Sequence, residues 1–169
     1  MKMTMDKYLG IIMEKQSSIL SPLVYFLFVP LFLFLFCSSS ALANTFVFNP
    51  NTLTWKAIDS NGKVVRTGKG SGGRRYCPDI HRGCKTPIGV FTVWSKGGAG
   101  CKSSRYPVGR GGSPMPYCMF FTKYYAVHGS YEVPNYNASH GCIRVHPSDA
   151  YWLSKNFIRI GTKVVVKPY

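Results

Sequence analysis

The chain has 169 residues, of which 46% are hydrophobic, 15% aromatic and 16% charged. This accommodates one domain with a real core and excludes two ordinary domains or a wholly disordered chain. Lys and Arg number 21 against 6 Asp and Glu, a net charge of +15, which points to anionic partners such as nucleic acid, anionic lipid or an acidic envelope glycan.

Residues 1–43 read as a secretory signal. Lys2, Lys7 and Lys15 supply a basic start, an apolar run extends from Leu23 to Phe36, and Ala41-Leu42-Ala43 offers small residues for cleavage. The run is short of the roughly 20 residues that a spanning helix needs. Bulky Phe36 before Cys37 argues against a lipidated cysteine. The expected mature domain is therefore 44–169, secreted or periplasmic, with membrane contact only through the signal segment.

Short strands are predicted over Thr45–Phe48, Leu53–Ile58 and Val64–Thr67, the last two joined by a turn at Asn61-Gly62. Gly68–Arg75 reads as a glycine-rich basic loop. Ile88–Trp94 alternates as a strand, Ser95–Pro116 is a long Gly/Ser/Pro-rich loop, and Tyr117–Val127 holds one or two strands. Pro147–Asn156 is the helix candidate, with Pro147 at its first position and Asp149 in its first turn. Gly161–Lys167 closes as a strand. The expectation is a mainly β domain with one or two short helices.

Several weak motifs are set aside. Gly68 to Gly73 matches G-x-G-x-x-G but opens no helix, as a dinucleotide site requires. Asn137-Ala138-Ser139 is a formal glycosylation sequon overlapping the candidate site. The spacing of Cys77 and Cys84, and of His140 and Cys142, does not suit structural zinc. The basic residues are dispersed rather than gathered in a nucleic-acid-binding motif.

Five cysteines follow the signal: Cys77, Cys84, Cys101, Cys118 and Cys142. An odd count in an exported chain means either intermolecular pairing or one free reactive thiol. Cys142, in Ser139-His140-Gly141-Cys142, is the one expected to stay free, with a thiolate favoured by its histidine neighbours His140 and His128. Backbone N–H groups of Gly141 and Cys142 are candidate oxyanion donors. The remaining four cysteines allow three connectivities. Locality favours Cys77–Cys84 and Cys101–Cys118.

His128-Gly129-Ser130 followed by Ser139-His140-Gly141-Cys142-Ile143-Arg144 resembles the signature of the L,D-transpeptidase catalytic-domain family. Thr67-Gly68-Lys69 and Thr86-Pro87-Ile88-Gly89-Val90-Phe91 resemble two further landmarks of that family. The resemblance implies a β-sandwich or barrel and a cysteine-dependent acyl transfer on peptidoglycan stem peptides through a thioester, giving 3–3 cross-links or a related product. In the implied roles Cys142 is the nucleophile, and His128 is the base, oriented by Ser130 or a nearby carbonyl. His140 and Gly141 shape the site, and Arg144 and Ser139 contact substrate. No metal or organic cofactor is implied. The alternative is a non-catalytic, disulfide-stapled envelope-binding protein.

Overall fold

The computed structural model describes residues 43–169. The expected signal segment therefore lies outside the described residues except for Ala43. Nine strands form one sheet: β1 (Thr45–Asn49), β2 (Thr54–Ile58), β3 (Val64–Ser71), β4 (Gly89–Thr92), β5 (Ser95–Lys96), β6 (Met119–Phe120), β7 (Ala126–Gly129), β8 (Ile143–Val145) and β9 (Lys163–Val166). Their order is β4-β9-β1-β2-β3-β8-β7-β6-β5. The sheet curls as a half-barrel around a core that includes Phe46, Phe48, Trp55, Met119, Ile143 and Leu153. The domain is thus mainly β, as the residue pattern implied, with one short helix, α1 (Pro147–Trp152).

The local reasons are readable. Phe46 and Phe48 are fully buried at alternate positions of β1, as the period of two in a half-buried strand requires. Trp55 stacks on Phe46 and donates its indole N–H to the Lys69 carbonyl at 3.1 Å, so its polar atom is satisfied inside the core. In α1, Pro147 takes the first turn and the His146 ring accepts the Ser148 N–H at the N-cap. The α-helix is shorter than expected: at Leu153 it passes into a π turn, Leu153–Phe157, where the Ile158 N–H bonds the Leu153 carbonyl.

Two expectations are corrected. The glycine-rich stretch is not wholly a loop, because β3 runs on through Ser71. Its glycines at alternate positions lie under aromatic rings. A Cβ at Gly68 would sit 2.6 Å from the Trp55 ring, and one at Gly72 would sit 2.8 Å from Phe48. Here glycine admits close approach of a ring rather than loop freedom. The long Ser95–Pro116 loop, likewise, begins with a short strand, since Ser95 and Lys96 pair with Phe120 and Met119.

Two disulfides, Cys77–Cys84 and Cys101–Cys118, join residues 7 and 17 apart in sequence. In the chain-entropy model loops of such lengths contribute roughly 2.5 and 3 kcal/mol. This matters most between β5 and β6, where little apolar surface is available for burial. β7 and β8 are parallel neighbours near the middle of the sheet, with His128 in register with Arg144. These two strands carry the site.

Candidate active site

Val127 and Gly129 of β7, with Ile143 and Val145 of β8, are buried. Alternation therefore turns His128 and Arg144 to the other face of the pair, and Cys142, two residues before Arg144, shares that face. All three line a cavity of about 710 Å³. Cys142 is the one free cysteine among the described residues. It is half-buried, and its side chain packs against the small apolar group of Met115, Cys118 and Ala126.

His128 is almost fully buried, and its Nδ1 lies 2.9 Å from the Gly129 carbonyl oxygen. A carbonyl only accepts, so Nδ1 carries the proton and Nε2 keeps a lone pair. The orienting group is thus the Gly129 carbonyl. The Ser130 hydroxyl is engaged elsewhere, accepting the Glu132 N–H at 3.0 Å.

Burial holds His128 well below the usual imidazole range, at about 4. The hydrogen bond to Gly129 opposes this, and the Arg144 charge adds to it. Burial likewise pushes the Cys142 thiol above its ordinary value, opposed by an Ala126 backbone hydrogen bond and by Arg144. The expected resting thiolate is therefore corrected. At neutral pH the two groups are a thiol and a neutral imidazole.

The His128 shift has a consequence for stability. An unfolded histidine titrates near 6.5. As pH falls, the unfolded chain binds this proton first, so the contribution is complete above about pH 6.5 and drains away down to about pH 4. The expected loss from this group is roughly 3 kcal/mol between pH 7 and pH 4. Urea midpoints measured across that range should fall more steeply for the wild type than for His128→Gln.

The turn before Cys142 is pinned by its own side chains. The buried Ser139 hydroxyl donates to the Cys142 carbonyl at 2.5 Å and accepts the Gly141 N–H at 3.0 Å. Ser139 thus holds the turn rather than offering its hydroxyl to a substrate. The Gly141 N–H is correspondingly occupied. Of the two expected oxyanion donors, the Cys142 N–H is the one with no hydrogen bond among the described residues. Gly141 has φ +119, and a Cβ there would lie 2.3 Å from the Tyr125 ring. Gly141→Ala should therefore cost about 2 kcal/mol or more and slow acylation of Cys142. Thermal melts and adduct formation followed by mass spectrometry check both effects.

Arg144 lies on the cavity wall and pairs with Glu132 at 3.3 Å. His140 faces away from the base role, because its Nε2 meets both Asp79 carboxylate oxygens, at 2.7 and 2.9 Å. Sequence reasoning missed Asp79, Tyr106 and Glu132. The scarcity of acids was the available signal. After position 43 the only acids are Asp59, Asp79, Glu132 and Asp149, and each is tied to a specific partner. Arg82, Lys102, Arg105, Lys123 and Arg144 line the cavity against Asp79 and Glu132, leaving it positive and suited to a carboxylate-rich ligand.

A β half-barrel thus places an unpaired cysteine and a tautomer-fixed histidine on one cavity wall. The chain belongs to the L,D-transpeptidase catalytic domain family, whose model matches residues 44–166. Among solved structures it is similar to the L,D-transpeptidase of Xylanimonas cellulosilytica, at 29% identity and a TM-score of 0.65, covering 76% of this chain and 62% of that one. It is also similar to L,D-transpeptidase 1 of Mycobacterium tuberculosis, at 28% identity and a TM-score of 0.57, covering 75% of this chain and 62% of that one. A third similar structure is an L,D-transpeptidase in complex with imipenem, at 27% identity and a TM-score of 0.61, covering 73% of this chain and 58% of that one. The chain thus spans about three fifths of the length of these proteins. No curated protein matches it in sequence.

Proposed function

We propose that this chain is a cysteine-dependent L,D-transpeptidase that acts on peptidoglycan stem peptides through a thioester. The observation that carries this reading is Cys142, unpaired, sharing a cavity face with His128, whose Nε2 is left as the acceptor. Cys142 Sγ attacks the carbonyl of the third stem residue while His128 Nε2 takes the thiol proton. The tetrahedral oxyanion is met by the Cys142 N–H. The intermediate collapses with cleavage of the amide bond, and the imidazolium protonates the departing amine of the terminal D-amino acid. The amine of a second stem then attacks the thioester, His128 removes its proton, a new amide forms and the thiol is regenerated. These steps need only thiol, imidazole and backbone donors. The positive cavity supports a carboxylate-bearing substrate. The two disulfides support a working place outside the reducing cytosol, in the cell envelope, after removal of residues 1–43.

The test is incubation of the protein with purified disaccharide tetrapeptide, followed by mass spectrometry. The expected products are a 3–3 cross-linked dimer and one released D-amino acid per dimer. Folded protein that binds the stem but yields neither product overturns the enzymatic reading in favour of an envelope-binding protein. The imipenem complex of a similar protein supports a second readout, a one-to-one imipenem adduct on Cys142 by intact mass.

A further inference from the structure

We propose that Asp79 and Tyr106 are positioning residues that act through His140 to hold the Ser139–Cys142 turn in its acyl-transfer geometry. The proposal rests on the acyl-transfer reading above. The His140 ring is held from two sides. Its Nε2 donates to the Asp79 carboxylate, 2.7 Å from the nearer oxygen. Its face stacks on Tyr106, with ring centroids 4.2 Å apart and planes 28° apart. Asp79 lies in the short 3₁₀ turn Pro78–Ile80, inside the Cys77–Cys84 bridge. Tyr106 lies inside the Cys101–Cys118 bridge. Both disulfide loops, which come from different parts of the sheet, thus converge on one imidazole.

Only Gly141 separates that imidazole from the nucleophile. Its φ of +119 and its missing side chain leave the link free to pivot unless the residues beside it are held. Ser139 holds one end through its hydroxyl, and the His140 clasp holds the side chain between. The clasp is not explained by stability alone. The Asp79 and His140 side chains are 45% and 21% exposed, and pairs so accessible contribute about 0–1 kcal/mol. Misplacing a reacting group by about 1 Å, in contrast, costs up to about 10²-fold in rate. The clasp therefore matters chiefly for aiming the Cys142 N–H and Sγ.

The test compares two reactions of Cys142 in the oxidised, full-length protein. Acylation by imipenem or by a donor stem builds an oxyanion. Alkylation by iodoacetamide displaces iodide and builds none. Asp79→Ala and Tyr106→Ala are expected to lower the maximal acylation rate about tenfold or more. The half-saturating concentration and the alkylation rate should stay within about twofold. Tyr106→Phe, which keeps the stacked ring, should recover the acylation rate. Because Asp79 is exposed, its truncation leaves no buried void. Acylation within about twofold of wild type in both Ala variants overturns the proposal, as does a parallel loss of alkylation or a Tyr106→Phe variant as slow as Tyr106→Ala. A wild-type protein that imipenem acylates but that forms no cross-link overturns the stem-peptide reading alone, and the clasp is then read from the imipenem rates.

Discussion

Cys142→Ala is expected to abolish acyl transfer, with a loss on the order of 10⁶-fold, as when a covalent nucleophile is removed. The cavity, His128 and the backbone donor all remain, but no thioester can form. Cys142→Ser is expected to fare little better. A hydroxyl is much harder to deprotonate than a thiol, and His128, held at about 4, is a weak base for it. Stability should change little. The side chain is half-buried against Met115, Cys118 and Ala126, and serine nearly conserves its volume. Cross-link formation by mass spectrometry and a thermal melt on the same preparation separate the two effects. Near-native turnover in either variant would remove Cys142 as nucleophile.

His128→Ala is expected to lower single-turnover acylation by about 10²–10⁴-fold, the usual contribution of a general base. The resting pair is neutral, so no preformed thiolate is available to bypass the base. His140→Ala should lose less, because Asp79 occupies its Nε2 and its effect on chemistry runs only through the turn. A larger loss at His140 than at His128 would reverse these assignments. The low His128 value also places the acid limb of the acylation profile near pH 4, well below that of an ordinary imidazole. Moving that limb to near pH 6.5 would require a more solvated base than His128.

Much of this protein is local and therefore legible in order. The short runs Thr45–Phe48 and Leu53–Ile58 marked β1 and β2, Asn61-Gly62 marked the turn before β3, and Pro147 with Asp149 marked the start of α1. An odd number of cysteines after residue 43 left one over, its Ser139-His140-Gly141 context singled out Cys142, and short spacing favoured the two disulfides that the structure contains. Each is a property of neighbouring residues, readable from backbone preference, periodicity or loop closure. The glycine-rich stretch misled because glycine signals either a free loop or the close approach of a ring. Only the register placing Trp55 opposite Gly68 decides between them.

The protonation states and the clasp lay beyond the reach of the amino-acid order. Histidines near a cysteine suggested a thiolate. Burial of both groups reverses that, because desolvation depends on what surrounds a group in space. The His128 tautomer depends on a carbonyl turned toward it by β7, and the Ser139 hydroxyl on a turn that closes on itself. Asp79, Tyr106 and His140 lie far apart along the chain and meet only because two crosslinked loops fold over the same strand pair. Local sequence thus specified the unpaired cysteine, the strands and the crosslinks through short-range sterics and hydrophobic period. The tertiary structure decided charge, proton position and the aim of the site, because these depend on solvent exclusion and on contacts between distant segments.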